Sequence, residues 1–479
     1  MNSRMLALAI IPAAIGCSTP DNCPLCGTTQ SGAYTAIATM QVPQASPYGK
    51  PFAVWDIVVQ DPVTRRLYVT DRSHAGIAVY DTKKDVPIGQ VKGGFVGSVC
   101  CEPDRASNFN EASGPNATVV TDSTPTDLGK LWVSDGDSTL KVFDLNKDTL
   151  PVLHNDGTAS QSFGTVHTGR SLTNIDDCAR GTNVSNDATG NPCGDMRADE
   201  MAYDPDHKVV LVTNGDSPVG VTNGAFVTLV NANNPLCVGN SCVLAQIFFD
   251  GAGDNLTTGC PLPYNTPLAG ACPGPTCPSG AVTAGVKCAH GPNAQNGLGG
   301  SVYNPGTKRF LVSTPQVGSN PADGEVTEID PVLLKVTNHF SLKGLGCQVA
   351  SLAVGPQNKN LLVGCANREG TAFYPSTFIM DATTGAIIKS IYDVGRVDEV
   401  WYNDGDKRYY LAARDMPNGS VLGIIDANTN LWLQNVPTGG NAHGLAVDPI
   451  NNHIYIPISP NARCGRYSAE GCIAVYARQ

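Results

Sequence analysis

The chain has 479 residues, of which 41% are hydrophobic and 15% charged, and its formal net charge is −11. This composition is typical of a globular protein and excludes an intrinsically disordered chain. The acidic balance and the lack of any basic run argue against nucleic-acid binding, because that binding depends on lysine and arginine side chains that neutralise phosphates.

The N-terminus has the pattern of an export signal. Residues 1–16 contain Arg4, a short apolar run and small residues. The run is too short to span a bilayer. The sequence that ends at Cys17 is similar to a bacterial lipoprotein cleavage box, which would make Cys17 the lipid-bearing residue; ordinary cleavage after Gly16 is the alternative. We therefore expect a periplasmic, outer-membrane-anchored or extracellular protein, whose membrane contact would be through lipid alone.

Seventeen cysteines in an exported chain predict disulfides, because export leads to an oxidising compartment. If Cys17 carries lipid, an even number remains. Four cysteines in a Gly/Pro-rich insertion could form two bridges or a zinc site (Cys260, Cys272, Cys277 and Cys288), and Cys23 with Cys26 is expected to form a local bridge. The other predicted pairs are Cys464–Cys472, Cys237–Cys242, Cys178–Cys193 and Cys347–Cys365.

After an expected linker at 17–32, residues 33–479 repeat one pattern. A strand ends in Asp-Pro or a near variant, a short polar turn follows, and a second apolar strand comes next; a third strand ends in Asp or an equivalent, and a fourth follows. Four antiparallel strands per repeat predict a propeller blade. Seven third strands predict an all-β, seven-bladed β-propeller. The clearest copies begin at Asp56, Asp199, Gly299, Ala350, Asp398 and His443.

Two blades depart from the pattern. The second copy is degenerate, with its first two strands near Asn116 and Leu131. The last blade has no fourth strand of its own, because the sequence stops at Gln479. The strand at 33–42 is available to complete it, which would close the ring and remove an exposed sheet edge.

Loop lengths predict one decorated face. The turns between first and second strands have about four residues, whereas the loops between second and third strands and between blades are long. Those two loop classes emerge on the same face of a propeller, and long loops on a rigid scaffold commonly carry function. The expected insertions are 93–115, 155–197, 250–296, 315–323 and 459–470.

One column of residues is predicted to face the channel mouth on that side. It is found five positions before the end of each first strand, and two glutamates, Glu200 and Glu399, follow members of the column. Converging carboxylates can bind a hard divalent cation such as calcium, for which we name Asp56, Asp199, Glu200, Asp398 and Glu399. A histidine with carboxylates can act as an acid/base pair. The column reads Asp56, Ala117, Asp199, Gly299, Ala350, Asp398 and His443.

A structural role for these residues is the alternative. Arg-x-Asp-Glu occurs twice, beginning at Arg197 and Arg396, so each arginine is expected to pair with a carboxylate of its own or the next blade. His443 could equally be a buried residue with satisfied hydrogen bonds. Second-tier candidates at the ends of second strands are His74, Arg72, Asn214 and Arg414.

The strands Leu-Tyr-Val-Thr-Asp from Leu67 and Leu-Val-Thr-Asn-Gly-Asp from Leu211 resemble the signature of YVTN-type β-propeller proteins. That resemblance implies an exported seven-bladed propeller without established catalysis. A weaker likeness is to gluconolactonase and regucalcin-type propellers, whose channel holds a metal; Asp56, Asp199 and Asp398 supply similar chemistry without a matching motif.

Two functions follow from these observations. The first is a monomeric exported propeller that binds a ligand or protein partner through its looped face. The alternative is a metal-dependent hydrolase or lyase at the channel mouth, in which Asp199, Asp398 and His443 would be catalytic.

Overall fold

The computed structural model describes residues 32–45, 49–98, 113–146, 164–168, 197–215, 225–233, 238–239, 242–254, 287–367 and 374–479. The predicted export signal, Cys17 and the bridges Cys23–Cys26 and Cys178–Cys193 lie outside these residues, as do Cys237, Cys260, Cys272, Cys277 and the side chain of Cys288. Among the helices that are described, none has the length and apolar character needed to cross a bilayer.

The described strands form seven sheets arranged as propeller blades, so the predicted fold class is confirmed. In blades one, four, five and six, four antiparallel strands follow one another in sequence order. Blade one contains β2 (Val58–Asp61), β3 (Arg66–Asp71), β4 (Gly76–Asp81) and β5 (Val86–Val91), and blade four contains β16 (Ser301–Asn304), β17 (Arg309–Thr314), β18 (Glu325–Asp330) and β19 (Lys335–Ser341). Blade five contains β20 (Val349–Val354), β21 (Asn360–Cys365), β22 (Thr377–Asp381) and β23 (Ile387–Ile391), and blade six contains β24 (Glu399–Asn403), β25 (Arg408–Ala413), β26 (Val421–Asp426) and β27 (Leu431–Pro437).

Blades two and three carry a fifth strand that pairs in parallel with the outermost antiparallel strand. The strand added to blade three, at 287–290, lies within the predicted insertion 250–296, and each added strand covers an edge that would otherwise be open. Blade two contains β6 (Thr118–Thr121), β7 (Lys130–Asp135), β8 (Thr139–Asp144), β9 (Gly164–His167) and the added β13 (Val238–Gly239). Blade three contains β10 (Met201–Asp204), β11 (Val209–Asn214), β12 (Phe226–Asn231), β14 (Val243–Phe248) and the added β15 (Lys287–His290).

The loop prediction at 155–197 is wrong in one respect. Strand β9, at 164–167, lies inside that range and is the fourth strand of blade two. The connection at 145–163 therefore joins a third strand to a fourth. A four-residue strand with a single large apolar side chain, Val166, gives too weak a period-2 signal to be recognised in sequence.

The predicted closure of the ring is confirmed. Strand β1 (Tyr34–Gln41) pairs antiparallel with β30 (Cys472–Arg478), which is the third strand of blade seven. Blade seven is completed by β28 (Ala446–Asp448) and β29 (His453–Ile458). The register places Tyr34 opposite Arg478. One strand from the start and three from the end of the sequence thus make a single sheet.

The aspartates that recur at the ends of first and third strands are turn residues. Asp61 and Asp448, which end first strands, accept a hydrogen bond from the backbone amide two residues further on, at 3.2 and 2.9 Å respectively. Asp381 and Asp426, which end third strands, do the same at 3.0 and 3.1 Å. Such Asx turns stabilise a tight reversal and explain why the residue type recurs.

Seven hydrophobic clusters are found among the described residues, one at each contact between neighbouring blades. The contact that closes the ring illustrates them: Val58 and Val69 of blade one pack with Ala446 and Tyr455 of blade seven, and all four are fully buried. Because burial of one such large side chain contributes about 1.5–3 kcal/mol, every blade depends on both neighbours.

Two predicted disulfides are confirmed. Cys347 and Cys365 are bonded across the first hairpin of blade five, and Cys464, in a 3-10 helix at Ala462–Tyr467, is bonded to Cys472 at the start of β30. Cys242 is also disulfide-bonded, and its predicted partner lies outside the described residues.

Candidate functional site

A cavity of about 640 Å³ lies at the mouth of the central channel, on the looped face. We call it the mouth cavity, and its walls are the starts of first strands and the ends of second strands. Six of the seven column residues line it, whereas Ala117 is buried and its amide donates to the Ser134 hydroxyl at 2.8 Å. The six are Asp56, Asp199, Gly299, Ala350, Asp398 and His443.

The backbone fixes the three aspartates at the cavity wall. Each lies one or two residues before a first strand, and its amide donates to a carbonyl oxygen of the neighbouring second strand. The donor–acceptor distances are 3.3 Å for Asp56 to Thr70, 2.7 Å for Asp199 to Thr213 and 3.2 Å for Asp398 to Ala412. Their side chains therefore converge because the blades radiate from one axis.

Each of these aspartates is paired with an arginine that also lines the cavity. Arg197 lies 2.8 Å from the Asp199 carboxylate, and Arg414 lies 2.9 Å from that of Asp398. Asp56 contacts Arg72 directly, and Arg197 Nη1 is 3.8 Å from the same Asp56 oxygen. The prediction that the acidic column is neutralised by arginine thus holds for Arg197. The other cations, Arg72 and Arg414, come from the second-tier candidates.

The second Arg-x-Asp-Glu motif differs from the first. Arg396 has a left-handed backbone conformation (φ 54°), and its Nη1 donates to the Asp415 carbonyl oxygen at 2.9 Å. In this blade Arg414, at the end of the second strand, supplies the ion pair of Asp398. The two Arg-x-Asp-Glu motifs therefore differ in structure: Arg197 pairs with the aspartate of its own motif, whereas Arg396 bonds to a backbone carbonyl oxygen, because the local backbone directs the two side chains differently.

Glycine at position 299 is explained by packing. A Cβ atom there would lie 2.5 Å from the Ala350 carbonyl oxygen and 2.7 Å from the Ser313 hydroxyl. The amide of Gly300 donates to the same carbonyl at 2.7 Å, so the first strands of blades four and five touch through their backbones. A side chain at 299 would separate the two blades.

Glu200 and Glu399 lie one residue deeper in the channel than Asp199 and Asp398. Glu399 is 6% exposed, and its Oε2 accepts a hydrogen bond from the Leu445 amide of blade seven at 2.8 Å. Burial, reinforced by the charge of Asp199, raises the pKa of Glu200 well above its usual range. Burial and then the nearby Glu200 do the same to the pKa of Glu399. Both carboxyl groups consequently favour the protonated form.

The His443 ring lies against two backbone carbonyl oxygens. Nδ1 is 2.7 Å from that of Asn441, the shorter contact and the one that the single N–H of a neutral ring would make, and Nε2 is 3.3 Å from that of Trp55. The imidazole also stacks on the Trp55 indole, with centroids 5.0 Å apart. Burial lowers the pKa of His443, so the ring is neutral at neutral pH. These contacts fit the structural alternative, in which His443 is a buried residue held by hydrogen bonds.

The remaining second-tier candidates have local partners. The His74 ring lies 2.6 Å from the Asp71 carboxylate and 2.7 Å from the Lys50 carbonyl oxygen, and His74 does not line the mouth cavity. Asn214 donates from Nδ2 to the Arg197 carbonyl oxygen at 3.4 Å. Both residues thus stabilise the loops around the cavity.

A metal centre was predicted from Asp56, Asp199, Glu200, Asp398 and Glu399. Within the part of the chain that the structure describes, no group of three or more His, Cys, Asp and Glu side chains is arranged to hold a metal ion. The three aspartates face arginines instead. Divalent-cation binding and the catalytic assignment of Asp199, Asp398 and His443 stay predictions.

Sequence reasoning did not identify Trp55 and Asn116. Trp55 is 1% exposed and lies between Phe52 and His443, while Asn116 of blade two accepts from Arg72 Nε at 3.0 Å. Both residues directly precede a member of the column, and this position in the sequence could have identified them as neighbours of the cavity. Their role is to position the groups at the mouth, because each contacts one of them.

Comparison with protein-family models and with curated proteins gives no match, so membership of the YVTN-type family is not shown. Among solved structures, a chain of the Kuenenia stuttgartiensis hydrazine synthase is similar, with a TM-score of 0.48 and 12% sequence identity. The likeness covers 88% of this chain and 95% of the other.

Proposed function

We propose that this protein is an exported β-propeller that binds a small polar ligand in its mouth cavity. The observation that carries the proposal is the convergence of charged side chains from blades one, three and six on one cavity of about 640 Å³. That volume lies within the range of about 300–1,000 Å³ that is usual for small-molecule sites.

The scaffold supports binding because the walls are rigid. The aspartates precede strands hydrogen-bonded to their neighbours, and their arginines are held by ion pairs at 2.8 and 2.9 Å in blades three and six. A pre-organised site costs little conformational entropy when a ligand enters.

The charge distribution supports a polar ligand. Three arginines and three aspartates line the cavity as contacting pairs, so hydrogen-bond donors and acceptors lie side by side (Asp56 with Arg72, Asp199 with Arg197, and Asp398 with Arg414). Hydroxyl, amide and zwitterionic groups need both kinds of partner.

Export is supported by the disulfides Cys347–Cys365 and Cys464–Cys472, since structural disulfides persist in oxidising compartments. The enzymatic alternative would use Asp199, Asp398 and His443 of the same cavity. Because each of these side chains already has a close protein partner, binding is the function that the geometry supports best.

Saturation-transfer NMR with a library of polar metabolites tests the proposal. We expect signals from a subset of compounds with the wild-type protein, and their loss in Ala350→Trp, because the larger side chain fills the cavity. Leu345→Trp is the matched control, since Leu345 is 41% exposed and does not line the cavity. If no compound gives a signal, or if the signals persist in Ala350→Trp, the proposal is wrong.

A further inference from the structure

A second cavity, of about 370 Å³, continues the channel towards the face of the short turns. We call it the lower cavity. It meets the mouth cavity at Ile57 and Glu200, which line both, and it extends to Pro305 and Asn358 in the turns between first and second strands. The channel is therefore divided into two chambers with a carboxyl group at their junction.

The walls of the lower cavity differ in character from those of the mouth. First strands of blades one, three, four, five and six supply aliphatic side chains, and three aromatic side chains add π faces. No arginine or lysine lines it among the described residues. The aromatic residues are Tyr303, Trp401 and Tyr402.

Glu200 and Glu399 are the only carboxyl groups among the described residues that line this lower cavity. Within that same part of the chain, neither makes an ion pair with a lysine, arginine or histidine, whereas Asp56, Asp199 and Asp398 at the mouth all do. Glu399 is buried and Glu200 is partly buried, so desolvation and mutual repulsion both oppose the simultaneous ionisation of the two neighbouring carboxyl groups. The two carboxyl groups could therefore pair with a positive charge that a ligand brings into the lower cavity.

We propose that the lower cavity binds an organic primary ammonium ion, with its N–H groups on Glu200 and Glu399 and its apolar body against the aromatic wall. Carboxylates form strong charge-assisted hydrogen bonds with ammonium groups. Aromatic faces pack against an apolar substituent and remove it from water. The two features are independent, since the carboxyl pair selects the charge and the apolar wall selects the substituent.

Binding should release a proton. The charges that surround the pair are those of Asp56, Asp199, Asp398 and Arg197. When the ammonium ion enters, a neutral carboxyl group loses its proton to solvent and becomes the carboxylate that the ligand needs, while the ammonium keeps its own protons. A ligand without charge would cause no such release.

Isothermal titration of the full chain with phenethylammonium tests the inference, and 2-phenylethanol is the uncharged probe of the same shape. We expect the ammonium to bind at least about tenfold more tightly, which is the effect of one strong charge-assisted contact. Titrations in buffers of different ionisation enthalpy should reveal proton release for the ammonium alone. Glu200→Gln should abolish both the preference and the release. Glu328→Gln is the control, because Glu328 is buried in blade four and contacts Thr337 away from the channel.

Glu200→Gln keeps the size of the side chain and the backbone hydrogen bond to the Thr213 amide, and no hydrogen bond of the Glu200 side chain is found among the described residues, so the fold should survive. Ala350→Trp separates the two sites: ammonium binding that persists in this variant belongs to the lower cavity, and binding that is lost belongs to the mouth. Equal affinity of both probes, lack of proton release, unchanged binding in Glu200→Gln or loss of binding in Ala350→Trp would each overturn the inference.

Discussion

Arg197 of blade three joins two aspartates from different blades. Its guanidinium lies 2.8 Å from the Asp199 carboxylate and 3.8 Å from that of Asp56 in blade one. Blade two lies between them, and its residue at the corresponding position is the small, buried Ala117. The ion pairs at the channel mouth therefore connect blades that are not sequential neighbours.

Replacing Arg197 by methionine should lower the free energy of unfolding by about 3 kcal/mol, because it breaks the ion pair of the largely buried Asp199 carboxylate. Urea unfolding measures the change. Arg463→Met, at an exposed arginine in the loop of blade seven, should change stability by less than about 0.5 kcal/mol. Equal effects of the two substitutions would show that the Arg197 pairs contribute no stability.

Tyr34→Phe should loosen the ring closure. The Tyr34 hydroxyl is 2.9 Å from that of Tyr410 and donates to Asp406 at 3.2 Å, which ties β1 to blade six. Loss of these bonds leaves a buried hydroxyl of Tyr410 with one partner fewer, at a cost of about 1–2 kcal/mol. The melting temperature measures it, with Tyr374→Phe as the control, since Tyr374 is 74% exposed. No difference between the variants would exclude a stabilising role for this cluster.

His339 should titrate far above an ordinary histidine. Its ring lies 2.5 Å from Glu325 and 2.9 Å from Asp254, and the hydrogen bond to Glu325 is the main reason that its pKa is raised to about 9. A raised pKa in the folded state means that the stabilisation is complete below the unfolded pKa and is lost as pH rises through about 9. NMR titration of the ring should give this midpoint, and Glu325→Gln should lower it. An ordinary midpoint near 6.5 would contradict the geometry.

The pKa of His443 should be shifted in the opposite direction, below that of an ordinary histidine. Because burial lowers its pKa, the folded protein holds a neutral ring while the unfolded chain takes up a proton below about pH 6.5. Its contribution to stability is therefore lost as pH falls below that value. We expect His443→Gln to make stability less dependent on pH between neutrality and mild acid, as measured by urea unfolding. An unchanged pH profile would show that the ring is already solvated.

Calcium distinguishes ligand binding from the metal-dependent alternative. We expect millimolar calcium to leave the melting temperature of the wild-type protein unchanged, since the three mouth aspartates already face arginines. A rise in melting temperature that is lost in Asp199→Ala and Asp398→Ala would instead favour a metal-dependent enzyme.

The sequence alone determined the blade pattern, the ring closure by β1 and the convergence of Asp56, Asp199, Asp398 and His443. These features depend on local signals, namely Asx turns at Asp61 and Asp448 and the fixed spacing between a turn and the start of its strand. These local signals recur from one copy of the repeat to the next.

Only the tertiary structure decided which partners those residues have. Arg414 is within 2.9 Å of Asp398, and strand β15, which lies in a predicted insertion, covers the outer edge of blade three. A long side chain or a parallel strand pairs with whatever lies nearest in space, and that distance is set by how seven blades pack around one axis rather than by separation along the chain.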